Sequence, residues 1–154
     1  MSTNYYLMTI NKELVEKHFL YEYELTDFPY FGYKIHIGKR SAGWKPLFEA
    51  HLNAYSSVSE LIKFIKNHSN DIRIFDEYNE EFSVEGLKEE LIDWGKQSPK
   101  RKLAYNNGWL KEDPNGELDS PIDHIEYSRI ERPWIDIHYW HDKDGYDFTD
   151  RPFS

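Results

Sequence analysis

The sequence predicts an α+β fold: a mostly antiparallel sheet, two helices packed on one of its faces, and a long irregular excursion before the C-terminal strands. Three observations carry that expectation. Apolar and aromatic residues alternate with polar ones over residues 19–25 and 30–37, the period of half-buried strands. Two capped segments with apolar residues three and four apart begin at Ser57 and Ser83. Strand-like runs then resume after residues 96–123, a stretch broken by Pro99, Gly108, Pro114, Gly116 and Pro121.

In chain order, residues 5–10 are β-prone and 12–18 supply a helical turn. Phe19, Tyr21, Tyr23 and Leu25 share one side of the first alternating strand, and 27–29 carry turn chemistry. In the second strand Phe31, Tyr33, Ile35 and Ile37 share a face, which leaves Lys34 and His36 on the other. Residues 38–43 read as a loop bounded by glycines. Residues 44–52 read as the return strand of a wide-tipped hairpin, with Pro46 marking an edge position or bulge.

Ser57 and Glu60 form a capping box ahead of Val58, Leu61, Ile62 and Ile65. Residues 71–75 make a short strand and 76–79 a turn. Ser83 caps a second helix with Val84, Leu87, Leu91 and Trp94 at helical spacing, stopped by Gly95. The excursion at 96–123 has Trp109 and Leu110 as anchors, and insertions of that length are often functional. Residues 125–130 and 134–140 read as strands, 142–145 as a hairpin turn, and 146–153 as the closing strand.

A chain of 154 residues suits one domain, 1–154. Its 12 Tyr, 9 Phe and 5 Trp supply enough large side chains for a sizeable core despite a polar average. The absence of cysteine removes disulfides and thiolate metal sites. A net charge of −9 disfavours double-stranded nucleic acid as a partner, while a local basic patch can still hold a small anion. No apolar run approaches the ~18 residues of a membrane span. The first twelve residues lack the basic start and apolar core of a secretory signal, and the lack of cysteine fits a cytoplasmic protein.

The chemistry-bearing residues concentrate in residues 36–44. Lys39, Arg40 and the Ser41 hydroxyl lie between Gly38 and Gly43, where backbone N–H groups can converge on an anion. Trp44 offers a face for stacking on a planar ring, and His36 stands at the strand end. The spacing is not that of a P-loop. The competing reading is a hairpin tip with solvated charges and a core tryptophan. Asp76 and Glu77 follow a strand, where they can hold a hydroxyl pair or accept from Arg40; a polar turn is the plainer alternative. None of the seven histidines has the i,i+4 pairing of a helical zinc motif, and the aspartates at 142–150 lack a calcium loop's spacing, so no metal or other cofactor is expected.

His36-Ile37-Gly38-Lys39-Arg40-Ser41-Ala42-Gly43-Trp44 resembles the HIGKSSAGW signature of a family of small, uncharacterised bacteriophage proteins. Two further pieces are similar in the same order: Ile74-Phe75-Asp76-Glu77-Tyr78-Asn79, and Asp144-Gly145-Tyr146-Asp147-Phe148 with the closing Phe153-Ser154. Arg40 stands where the family signature has its first serine. Many members carry cysteines upstream that resemble a zinc site; this chain has none, so no metal carries over. The resemblance implies a phage origin and action in the infected bacterial host, with little chemistry.

Together these readings lead to an expected function. It is an accessory protein that binds a small phosphorylated or nucleotide-derived ligand without turnover, as a sponge sequestering a host immune signal would. His36, Lys39, Arg40, Ser41, Trp44 and Asp76 would form the site, and homo-oligomerisation would help a chain of this length enclose its ligand. Two alternatives stay open: an acidic inhibitor acting through protein–protein contacts with a host factor, and a nucleotide hydrolase or nuclease.

Overall fold

A computed structural model describes residues 2–27, 31–41, 43–94, 123–131 and 137–153, with the backbone alone at 129–131. Residues 96–122 of the excursion expected at 96–123, the Gly95 stop and residues 134–136 of the strand expected at 134–140 lie outside the described residues.

Eight strands form one mixed, mostly antiparallel sheet. They are β1 (Ser2–Thr9), β2 (Glu24–Thr26), β3 (Gly32–Ser41), β4 (Leu47–Glu49), β5 (Arg73–Asp76), β6 (Glu81–Phe82), β7 (Tyr139–His141) and β8 (Asp147–Thr149). The order is β6-β5-β1-β3-β4-β8-β7, with β2 also paired to β3. Among the described residues, only β4 and β8 run parallel. The helices are α1 (Lys12–His18), α2 (Val58–Asn67), α3 (Val84–Leu87) and α4 (His124–Glu131); α3 runs on into a π-type turn, Lys88–Ile92.

The capped segments form as their sequences direct. Asn11 accepts from the Leu14 N–H at the start of α1, Ser57 from Glu60 N–H at α2, and Ser83 from Gly86 N–H at α3. The apolar stripe of α2 buries Val58, Leu61, Phe64 and Ile65. These pack with Leu14 and Val15 of α1, and with Leu87 and Leu91, onto Tyr5, Leu7, Ile35, Ile37, Phe48, Ile74 and Phe148 of the sheet. The two expected helices thus share one face, joined there by α1. α4 lies on the opposite face, which also carries the polar side chains discussed below.

Three segments differ from the sequence reading. Residues 38–41 are strand, not loop: β3 continues between β1 and β4, with Gly38 opposite both Tyr5 and Phe48. Gly38 is present for close packing rather than for a turn. A Cβ there would lie 3.0 Å from the Leu47 carbonyl oxygen and 3.3 Å from Leu91. The turn proper is Ser41–Trp44, closed by Trp44 N–H donating to Ser41 O, with Gly43 at φ +87°. Residues 125–130 form a helix rather than a strand. Asp123 caps α4 by accepting from Ile125 and Glu126 N–H, and Ile125 is buried beneath it. Residues 19–25 pair only from Glu24 on, because Phe19 ends α1 with its ring buried in the core and Leu20 takes a left-handed φ of +51°. The 142–145 hairpin turn forms as expected, with Gly145 N–H donating to Asp142 O.

Candidate functional site

The register of β1 against β3 decides where the signature residues point. Tyr5 pairs with Gly38 but Tyr6 pairs with His36, so Ile37 is an extra residue, a β-bulge. Both Ile37 and Gly38 therefore turn toward the helices, and the alternation changes phase beyond them. Arg40 emerges on the helix side. Its guanidinium stacks on Trp94 at 4.8 Å, donates to the Glu90 carbonyl and pairs with the Glu90 carboxylate at 3.4 Å. Lys39 lies on the other face, opposite Asn4 and Leu47.

The remaining candidates are dispersed as well. Ser41 gives its carbonyl to the Trp94 indole N–H and the Trp44 N–H. Trp44 already has a planar partner: it stacks on His124 at 4.8 Å, with Tyr127 against its edge. Asp76 is buried at the end of β5, accepting from Tyr78 and Glu80 N–H to shape the β5–β6 turn. Glu77 meanwhile accepts from Asn4 N–H. Of the expected set, His36 lines a cleft formed by described residues.

That cleft has a volume of about 470 Å³. Tyr6, Lys34 and His36 form its floor, residues 21–24 one wall, and Glu49 with the C-terminal Asp150, Pro152 and Phe153 the other. The Phe153 ring meets His36 edge-on at 4.7 Å, Tyr6 does so at 5.4 Å, and the Lys34 ammonium lies 4.0 Å from the centre of the Tyr6 ring. Both His36 nitrogens are engaged, Nδ1 with Glu49 Oε1 at 2.9 Å and Nε2 with Asn4 Oδ1 at 2.8 Å. Four carboxylates, Glu22, Glu24, Glu49 and Asp150, line the cleft together with Lys34 and His36. Burial first, then the charges of Glu24, Glu77 and Glu49, push the Tyr6 hydroxyl above its ordinary pKa, which keeps it a donor.

His51 supports this floor from behind. The His36 carbonyl falls between the end of β2 pairing at Lys34 and the start of β4 pairing at Gly38. The fully buried His51 side chain fills the gap, Nε2 donating to that carbonyl at 2.8 Å. Its Nδ1 faces Glu22 Oε2 at 3.1 Å.

A second polar cluster anchors α4 on the same face. Lys45 Nζ lies 2.9 Å from Asp123 Oδ2, 3.0 Å from Asp147 Oδ1 and 2.7 Å from the Gly145 carbonyl oxygen. His141 Nε2 reaches the same two carboxylate oxygens at 2.7 and 3.3 Å. Burial pulls Lys45 down, but its bonds to Asp123 and Asp147 outweigh this and leave it above its ordinary value. Burial pushes Asp147 up to about 6, only partly offset by the His124 N–H and Lys45. Asp123 is held well below the usual carboxylate range, because Lys45, Glu126 N–H and His141 outweigh its burial. His124 is pulled down mainly by burial.

No known family model, curated protein or solved structure matches the chain. The site is therefore argued from its own geometry. Sequence reasoning missed Tyr6, Glu22, Glu49, His51 and Asp147. The signal for the last three was a polar residue inside an apolar run: Glu49 and His51 flank Ala50 after Leu47-Phe48, and Asp147 sits between Tyr146 and Phe148.

Proposed function

We propose that this protein binds a small nucleoside-like ligand in the His36 cleft and holds it without turnover. The observation that carries the reading is the cleft itself: aromatic side chains of Tyr6, Tyr23 and Phe153 around a floor of ionisable groups. Rings of this kind take a planar heterocycle. Glu22, Glu24 and Glu49 accept from hydroxyl or amino groups, while Lys34 suits a single anionic group. The excess of carboxylates disfavours a polyphosphate. Binding without chemistry fits a histidine with both ring nitrogens engaged. The resemblance to phage proteins adds a setting: an infected bacterial cell, where such a binder would withdraw a nucleotide-derived signal.

The test is calorimetric titration, in chelator, with adenosine, guanosine and their 5′-mono- and triphosphates. Nucleosides or monophosphates should bind, and Tyr23→Ala and His36→Ala should each weaken binding at least tenfold. Heat from none of the six compounds, or unchanged binding by both variants, refutes the reading. One observation favours a second reading, an inhibitor acting through protein contacts: Leu20, Tyr21, Leu25 and Leu52 are exposed, Tyr21 in the cleft wall itself. Pull-down of a host protein lost on Tyr21→Ser and Leu25→Ser would support it.

A further inference from the structure

We propose that Glu22, Glu49 and His51 bind one divalent transition-metal ion where the cleft meets the gap between β2 and β4. One ligand atom from each lies within 4.8 Å of the other two. An imidazole with two carboxylates suits Zn²⁺ and its neighbours in the first transition row.

The orientation of His51 carries the argument. Its Nε2 must donate to the His36 carbonyl, which cannot donate in return. In the neutral ring this leaves the lone pair on Nδ1, and Nδ1 faces Glu22 Oε2 at 3.1 Å. Two lone pairs at that separation call for a cation between them. Zinc bonds of ~2.0–2.1 Å in a tetrahedron place neighbouring ligand atoms roughly 3.3 Å apart, close to the spacing found. A metal-binding histidine typically gives its other N–H to a backbone carbonyl or carboxylate, as His51 does. Glu49 lies at the other side of the ring: Oε1 is held by His36 Nδ1 at 2.9 Å, while Oε2 is 3.5 Å from His51 Nε2 and would have to swing toward Nδ1 to join the ion.

The second three-residue group shows the contrast. At Asp123, His141 and Asp147 the Lys45 ammonium already sits between the carboxylates. No lysine or arginine among the described residues is ion-paired with Glu22 or Glu49. Glu22 is half-exposed in the cleft wall, which gives an ion a route in and a ligand free to adjust. The ion would also offset the charge of two of the four carboxylates lining the cleft. The proposal does not depend on the ligand reading, whose titrations are run in chelator.

The experiment uses the full chain, stripped with EDTA and dialysed, then titrated with Zn²⁺ by calorimetry and with Co²⁺ by visible absorption. One ion per chain is expected, with the absorption of a low-symmetry nitrogen–oxygen Co²⁺ site. Glu22→Gln, on an accessible side chain, should weaken Zn²⁺ binding by roughly 10–100-fold while the far-ultraviolet circular dichroism stays unchanged. Asp123→Asn should bind Co²⁺ as the parent does. Failure to bind either ion overturns the proposal and leaves a proton as the cation between His51 and Glu22. Undiminished binding by Glu22→Gln, or loss of binding in Asp123→Asn, overturns it equally.

Discussion

Replacing Lys45 with methionine removes the cation at the centre of the α4 anchor. The ammonium holds three oxygens, on Asp123, Asp147 and Gly145, at 2.7–3.0 Å. Asp147 is fully buried, so losing its partner strands a charge away from water. Breaking a buried pair this way costs about 3–5 kcal/mol. Lys45 is a quarter exposed and His141 remains beside both carboxylates, so a smaller loss applies, ~2–3 kcal/mol. For a domain of this length that is a fall of roughly 5–10 °C in Tm at pH 8. The pH dependence makes the prediction specific. With Asp147 raised from 3.8 to about 6 in the folded protein, its protonation favours the fold. That contribution, about 3 kcal/mol, is fully present below pH 3.8 and is lost as pH rises through 6. Without the ammonium the folded value rises further, so at pH 5 Asp147 is neutral and the variant's deficit shrinks. Thermal unfolding of Lys45→Met and the parent at pH 8 and pH 5 reads this directly. An equal deficit at both pH values, or none at pH 8, refutes the reasoning.

Other outcomes follow from particular contacts. Gly38→Ala must push against the Leu47 carbonyl and Leu91, and should lose about 1–3 kcal/mol by urea unfolding; a neutral result would restore the loop reading of residues 38–43. Trp44→Ala removes the ring stacked on His124 and should expose α4 to limited proteolysis, with a loss of about 1–2 kcal/mol; protection equal to the parent's would show that α4 is held by the ion cluster alone. Ser57→Ala deletes the α2 cap and should lose ~1 kcal/mol, whereas Ser57→Gly should lose less than half of that.

Much of the fold was legible in local chemistry. The Ser57 and Ser83 caps, the α2 stripe and the Asp142–Gly145 turn depend on residues close in sequence, so their patterns survive without knowledge of the partner elements. The signature segment was misread for a non-local reason. Gly38 looked like a turn residue because the sequence cannot show Leu91 and the Leu47 carbonyl pressing on it. The bulge at Ile37 then sent Arg40 to the helix side, a phase change set by pairing with β1 rather than by any residue within β3. Trp44 was expected to stack on a ligand ring; in the structure its face meets His124, 80 positions away. The cleft was least legible. Its walls come from the α1–β2 connection, β4 and the C-terminal tail, and sequence spacing does not bring those three together. The helix at 124–131 was hidden because its apolar residues mimic a strand, and only the Asp123 cap marks its start.

The central claim is that the ligand seat is the His36 cleft, on the sheet face opposite α2, and not the segment from Lys39 to Trp44. A nuclear magnetic resonance titration of the isotope-labelled chain with adenosine 5′-monophosphate tests it most directly. The account predicts shift changes centred on Tyr6, Lys34, His36, Glu49 and Phe153, with Arg40, Trp44 and Asp76 unmoved. Changes centred on Arg40 and Trp44 instead, or saturating titration with no change at His36, would contradict it.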